Sequence, residues 1–555
     1  MIDATEPPKA AGLPTLDRRS LLRGGALGAG LLASPLAAQF DPHTTGFTHG
    51  VASGEPGPDS VLLWTRYRAA QDTQIEWQVA DSAEFTRTLA GGTVTASADH
   101  DWCCKATAGG LEPGRWYYYR FIDSAGRTSC IGRTRTLPEG PTQRWRMAVF
   151  SCSNIAFGYF NAYRHAAEDN SFDCALHLGD YFYEYGPGTY PNDPLSGRAP
   201  SPEREILSLA DYRMRYAQYR SDPDLRRLHQ VYPMISGWDD HEGTNDSWKD
   251  GAQNHQSDTE GPWSLRKQIA MRAYREWMPV SDEPWAAYQV GDLATLFRLE
   301  TRFEARSEQF SLSGIMREGG RDPQAIMAAL TRFREESYRD PSRELLGMKQ
   351  QAWLGEGMKA SRASGTAWQV LVQQVLMGHL KAAPQLAEGL PDSVPDFIRS
   401  RVIASSMAAR AELPLNMDAW DGYPAARDRL LESALAADAN LVSLAGDTHN
   451  AWAFELDHEG THAGIEFGGH SVTSPGLGDS LTHVSAQAIE QSSVATNHQL
   501  KWMDAAGRGY MAVELTPTHA SSEYRFLSGV RQRGAGVTRT HTVRSAVGSH
   551  RLEAG

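Results

Sequence analysis

The chain has 555 residues, 41% of them hydrophobic and 22% charged, the balance of a folded protein too long for one simple core. Its formal net charge of −13 argues against a nucleic-acid scaffold as main partner, because phosphate backbones select basic surfaces. An acidic balance also suits sites that gather cations, although excess charge by itself only keeps a protein dispersed.

The first predicted element is a leader. Residues 17–39, "DRRSLLRGGALGAGLLASPLAAQ", carry the pair Arg18 and Arg19, then a run of Gly, Ala and Leu, then the small residues Ala37 and Ala38. That three-part order predicts a twin-arginine export signal over residues 1–38, with the twin-arginine export machinery as partner and the periplasm or the exterior as destination. The competing reading is a basic patch on an amphipathic helix. The run is too short and too rich in glycine to span a bilayer, and no later stretch is apolar enough to do so.

Residues 44–140 read as a small β-sandwich of immunoglobulin or fibronectin type. "SVLLWTRY", "IEWQVA" and "WYYYRFI" are short aromatic and branched runs, separated by turn formers such as "SGEPGPDS" and "LEPGRW". In an exported protein, Cys103 or Cys104 could pair with Cys130, while Cys174, inside an apolar run, reads as core. "LPEGPTQ", residues 137–143, reads as a linker. From residue 145 to 555 strands and helices alternate, which predicts an α/β layer architecture. "WRMAVFSC", "FDCALHLGD", "VYPMISGWDDHE", "TAWQVLVQQVLM", "NLVSLAGDTH" and "AGIEFGGHSVTSPG" are the predicted strands. Residues 159–169, 211–230, 343–361 and 423–437 are the predicted helices, with further helices over the charged stretch 310–343.

Four of these strands end in unusual chemistry. They run into Cys152, then Asp180, then Asp239, Asp240 and His241, and finally Asp447 and His449. Ligands of open α/β sheets bind beyond the carboxyl ends of strands, so these residues are predicted to share one rim. Singly, each has a plain alternative: Asp after Gly is commonly a turn or a cap, and a lone Cys is commonly packing. Jointly, carboxylates crowded on one rim repel and desolvate one another unless a cation neutralises them. Carboxylate oxygens suit hard ions. Thiolate, phenolate and imidazole suit a transition ion, which divides the residues into Cys152, Tyr183 and His449 on one side and Asp240 and Asp447 on the other. Asp180, with two oxygens, can bridge the two sets.

"VFSCSN", "HLGDYFYEYG", "WDDHEGTND", "LAGDTHNAW" and "WDGYPAAR", with the "GVASGEPGPDSVLLWTR" opening and the leader, resemble the PhoD-like alkaline phosphatases, a branch of the calcineurin-like metallophosphoesterases. The resemblance runs from about residue 47 to the region of 525. It implies a four-layer αββα core and an enzyme that hydrolyses phosphate esters through Fe³⁺ and Ca²⁺, with a metal-bound hydroxide as nucleophile. It places Cys152, Asp180, Tyr183 and His449 at iron and Asp240 and Asp447 at calcium. Asp239 is a further candidate ligand, although neighbours on an extended segment point to opposite faces. Asp180 and His241 are the catalytic candidates, with His241 as proton donor to the leaving group or holder of phosphate. Asn154 and Asn245 are expected to contact the small phosphate-ester substrate. Two features depart from the family pattern: Glu300 in "LETRF" stands where Asp is usual, which leaves the role of Arg302 open, and His379 comes late in its segment. Three alternatives stay open at this level. They are a phosphodiesterase or phospholipase D-like hydrolase of cell-wall polymers, phospholipids or nucleotides, a zinc phosphatase with a serine nucleophile, and a non-enzymatic calcium-binding surface protein.

Overall fold

The structure, a computed structural model, describes residues 44–191, 193–387, 390 and 396–554, and the predicted leader lies outside them. The first seven strands are β1 (Gly46–Gly54), β2 (Val61–Arg68), β3 (Thr73–Ala80), β4 (Thr88–Ala96), β5 (Cys103–Ala108), β6 (Trp116–Ile122) and β7 (Gly132–Arg135). Strands β3, β4, β6 and β7 form one sheet in the order β4-β3-β6-β7. It packs on β1, β2 and β5 through Ile75, Trp77, Val79, Tyr119 and Phe121 against Val51, Val61, Leu63 and Cys104. This is the predicted sandwich.

One of its two sheets does not stop at the sandwich. Strands β8 (Trp145–Phe150), β9 (Cys174–His177) and β10 (Pro233–Ser236) are parallel neighbours, and β10 also pairs in parallel with β1 through Ser53↔Pro233 and Gly54↔Met234. A short hairpin follows, β11 (Ser247–Trp248) and β12 (Gly251–Ala252). The second large sheet is built from β13 (Ala286–Val290), β14 (Ala294–Arg298), β15 (Trp368–Val372), β16 (Leu441–Ala445), β17 (Ala451–His458), β18 (Thr461–Gly468) and β19 (Leu500–Asp504). The chain then returns to the first sheet with β20 (Gly509–Leu515), β21 (His519–Leu527), β22 (Val537–Ala546) and β23 (Glu553–Ala554). That sheet has ten strands in the order β23-β22-β21-β20-β8-β9-β10-β1-β2-β5, and the second has seven in the order β13-β14-β15-β16-β18-β17-β19.

The two sheets face each other across an apolar layer. Met147, Val149, Leu176 and Ile235 of the first meet Leu296, Val370, Val442, Leu444 and Phe467 of the second. Strands buried on both faces lose the in–out alternation, which is why β8, β9 and β15 read as continuous apolar runs. Helices Gly347–Ala363 and Pro424–Ala436 cover the outer face of the second sheet through Leu354, Met358, Leu430 and Leu431. Helices Asn161–Glu168, Leu209–Ser221 and Pro223–Val231 lie against the first. The result is the four-layer αββα arrangement.

Two expectations are corrected. The helix predicted over 211–230 is two helices, because Pro223 lacks the N–H that a helix interior needs; Asp222 instead caps the new helix, accepting from the N–H groups of Asp224 and Leu225. No disulfide joins Cys103 or Cys104 to Cys130: all five thiols are free. Cys104 faces the sandwich core on β5, whereas Cys130 is exposed just before β7, in the opposite sheet. Among the described residues, no helix is long and apolar enough to cross a membrane.

Candidate metal centre

The parallel strands deliver their carboxyl ends to one place. β8 ends at Phe150 and Cys152 follows two residues later; β9 ends at His177, three residues before Asp180. β10 ends at Ser236, ahead of Asp239, Asp240 and His241, and β16 ends at Ala445, ahead of Asp447 and His449. Cys152, Asp180, Asp447 and His449 all adopt left-handed backbone, with φ of 61°, 53°, 64° and 66°. Such a conformation costs a side-chain-bearing residue about 1–3 kcal/mol and persists where the surroundings over-determine it, commonly at functional sites. Cross-loop bonds supply that support. Cys152 N–H donates to Gly179 O at 3.2 Å and Ser153 N–H to Asp180 O at 2.8 Å. Buried Glu242 accepts from the N–H groups of Asp180, Tyr181 and Asp239 at 3.1, 2.7 and 2.8 Å, tying the β9 and β10 loops together.

Three overlapping groups of potential ligand atoms result, each with its atoms within 4.8 Å of one another: Cys152, Asp180 and His449; Asp180, Asp240 and His241; and Asp239, Asp240 and Asp447. Tyr183 joins the first, its Oη lying 3.3 Å from Asp180 Oδ2 and 3.0 Å from His449 Nε2. That phenol has one proton and two acceptors. His449 Nδ1–H donates to Pro475 O at 2.7 Å, so Nε2 presents its lone pair to the cluster. Asp239 and Asp240 both reach the cluster, because the extended strand has ended before them.

The electrostatics follow from burial of like charge. Burial pushes the Cys152 thiol and the Tyr183 phenol well above their ordinary ranges, and Asp180 adds to both. Burial, then Asp239, raises the Asp447 carboxyl well above the carboxylate range. Burial holds Asp239 up at about 6 against Arg302, and lowers His449 to about 3. Burial also works against the charge on Asp240, but His241 and Arg302 outweigh it and hold that carboxyl well below its ordinary range.

Arg302 is the role the sequence left open. It is fully buried, and its guanidinium donates to Asp239, to Asp418 at 2.6 Å and to Asp447 at 3.3 Å. Arg306 shares Asp418. Glu300 holds the turn below it, accepting from the N–H groups of Arg302 and Phe303 and from the Trp238 indole. Even so, Asp180 Oδ1, Asp239 Oδ2 and Asp240 Oδ1 are buried with no hydrogen-bond partner among the described residues. Orphaned carboxylate oxygens beside a buried thiol, a phenol and an imidazole nitrogen fit bound cations, which would reverse the upward shifts of Cys152, Tyr183 and Asp180 together.

The remaining candidates divide. His241 points Nδ1 at Glu184 Oε2, 2.7 Å away, and Glu184 is fixed in turn by Thr244, the Asn245 N–H and Asn254. Asn154 is buried, spends its Oδ1 on the Ala156 N–H and leaves Nδ2 without a partner among the described residues. The Asn245 amide instead bonds Gln253, outside the three groups. His379 pairs with Asp421 and is not among them. Gln374 supports the rim, its carbonyl accepting from the Gly446 N–H at 2.6 Å. Sequence reasoning missed Asp418 and Glu184. Glu184 stood in plain sight within "HLGDYFYEYG", whereas Asp418 lies in a segment with no strand ending to mark it.

Residues 147–524 match the family model described as PhoD-like phosphatase, and residues 33–138 match PhoD-like phosphatase, N-terminal domain. The chain is 32% identical to alkaline phosphatase D of Bacillus subtilis (strain 168), over 94% of this chain and 86% of the relative. A solved structure of PhoD shares the fold with a TM-score of 0.74 and 28% identity, covering 92% of each chain. The chain is a phosphatase and belongs to the PhoD-like phosphatase family.

Proposed function

We propose that the chain is an exported alkaline phosphatase that hydrolyses phosphate monoesters, and diesters with them, outside the cytoplasm. Cys152, Asp180, Tyr183 and His449 would hold Fe³⁺, and Asp240 and Asp447, with Asp239 beside them, would hold Ca²⁺. When bound, the two ions polarise the phosphoryl group and neutralise the charge that develops on it. The single observation that carries this reading is the convergence of the three donor groups on three orphaned carboxylate oxygens.

The chain's own residues supply positioning and one proton. As the water oxygen bonds to phosphorus and gives up a proton to solvent, the ester P–O bond breaks, the leaving alkoxide takes the proton on His241 Nε2, and solvent restores that proton. Glu184, hydrogen-bonded to Nδ1, keeps His241 oriented for that transfer, and its charge favours the protonated imidazole against burial. The free Asn154 Nδ2 is a donor for a phosphate oxygen, and Asn245 braces Glu184 through its backbone. The Arg18–Arg19 leader directs a folded, metal-loaded protein to export.

Elemental analysis of protein exported by its own leader tests the assignment, together with Cys152→Ala. The expected outcome is one iron per chain plus calcium in the wild type. In the variant, loss of iron and of visible absorption should accompany a fall in turnover of more than about 100-fold, with the fold retained. Calcium chelation should abolish activity reversibly. Near wild-type turnover in the variant, or activity indifferent to chelator, would remove the corresponding half of the assignment. Rates on nitrophenyl and bis-nitrophenyl phosphate weigh monoester against diester hydrolysis.

A further inference from the structure

Behind the donor cluster, three buried side chains link the loops that carry Cys152 and Asp180. Ser153 Oγ, on the residue after Cys152, is hydrogen-bonded to Tyr163 Oη, and Tyr163 Oη lies 2.8 Å from His177 Nε2. His177 is the last residue of β9, and its Nδ1 accepts from the Gly179 N–H at 3.3 Å. Ser153, Tyr163 and His177 are all buried. None of them belongs to the three donor groups.

The direction of this chain of hydrogen bonds is set by one backbone group. Burial lowers His177 to about 3, so the imidazole is neutral. Because Nδ1 accepts from Gly179, the ring proton sits on Nε2 and is donated to Tyr163 Oη. The phenol then donates to Ser153 Oγ. Tyr163 itself is held by ring contacts with Phe150 and Phe160, at centroid distances of 5.0 and 5.4 Å, so its oxygen is delivered by a rigid support. One end of the relay grips the residue after Cys152, and the other grips the residue before Asp180. These flank two left-handed residues that need outside support to persist.

We infer that Ser153, Tyr163 and His177 form a positioning relay that holds the Cys152 and Asp180 loops in register, so that the thiol and the carboxylate meet the same cation. This inference rests on the metal assignment proposed above. The relay touches neither substrate nor the reacting atoms and acts only through the two ligand loops.

The full mature protein tests it. Tyr163→Phe keeps the ring packing and removes the oxygen, Ser153→Ala removes the far acceptor, and Ser153→Thr keeps a hydroxyl. Iron affinity is read by competition with a chelator, alongside visible absorption and thermal unfolding with and without iron. The expected result is iron binding 10- to 100-fold weaker in Tyr163→Phe and Ser153→Ala, with a shifted absorption maximum and a smaller gap between iron-loaded and iron-free melting temperatures. Ser153→Thr should recover most of the affinity. A merely structural role would lower both melting temperatures together and leave affinity and absorption alone, and that result overturns the relay. Should Tyr163→Phe fail to fold, unchanged affinity in Ser153→Ala overturns it equally. Wild-type protein that binds no iron would sink the metal assignment and the relay with it, whereas iron-binding wild type with unchanged variants sinks the relay alone.

Discussion

The two rims of the candidate centre solve the same electrostatic problem differently. On the rim of Cys152, Tyr183 and His449, support comes from neutral hydrogen bonds: Pro475 O on His449 Nδ1, Ser474 Oγ on both Tyr183 Oη and Cys152 O, and the left-handed turns themselves. No guanidinium donates to any of these three side chains among the hydrogen bonds of the described residues. On the rim of Asp239, Asp418 and Asp447, the polypeptide supplies its own cation, Arg302, assisted by Arg306. The acidic rim is therefore partly neutralised before any ion arrives, and the thiol–phenol rim is not. The acidic rim thus carries a neutralising charge of its own, whereas the thiol and phenol remain protonated until another charge favours their ionisation.

Arg302→Met removes the contrast between the two rims most directly. Removing one partner of a buried charge network leaves uncompensated carboxylates and costs about 3–5 kcal/mol. Urea unfolding in chelator should show that loss in the metal-free protein. Calcium should then stabilise the variant more than it stabilises the wild type, since the ion takes over a neutralising task the guanidinium had performed. Metal-free stability equal to wild type would mean that the acidic rim does not depend on its arginine, and the contrast between the rims would vanish.

A buried acid outside both rims sharpens the scale. Glu466 on β18 is fully buried and is met by the N–H groups of Met377 and Gly378 and by the Ser443 hydroxyl rather than by a cation. Burial wins over those bonds and raises it to about 7 from 4.5. With the folded value above the unfolded one, its stabilising contribution is complete below about pH 4.5 and is lost as pH rises through 7. A shift of this size corresponds to a loss on the order of 3 kcal/mol. Glu466→Gln should abolish that loss, so the stability difference between wild type and variant should change in this direction between pH 4.5 and 8. A difference that stays flat with pH would show that these hydrogen bonds and the Arg427 charge together outweigh burial at Glu466.

How much of this was legible in the sequence depended on whether chemistry coincided with a strand ending. Cys152, Asp180, Asp240, Asp447 and His449 each follow an apolar run, so their convergence followed from the placement of ligands beyond the carboxyl ends of parallel strands. Asp418 follows no strand, and its contact with Arg302 spans 116 residues of chain, which no local pattern records. The fusion of the sandwich with the catalytic sheet was hidden for the same reason, since β1 meets β10 through only two residue pairs far apart in sequence. Cysteine spacing carried no direction, so Cys104 and Cys130 looked eligible to pair although their side chains belong to different environments. The break at Asp222–Pro223 was readable from proline's missing donor, and was masked only by the helical composition on either side.

The mildest test concerns the proton that both rims share through His241. Glu184 Oε1 accepts from Thr244, the Asn245 N–H and Asn254, so in Glu184→Gln the remaining oxygen is needed there and the new amide nitrogen must face His241 Nδ1. An N–H facing Nδ1 makes that nitrogen an acceptor, which favours neutral imidazole and disfavours imidazolium. The Glu184 carboxylate favours the protonated His241, and losing its charge lowers the imidazole. The alkaline limb of the turnover profile should accordingly move to lower pH, and turnover at alkaline pH should fall about tenfold, equivalent to about 1.4 kcal/mol, with little change in KM. Metal content should stay as in the wild type, because Glu184 belongs to neither rim. An alkaline limb that does not move would assign it to a group other than His241, and the leaving-group proton would then have to come from one of the rims themselves.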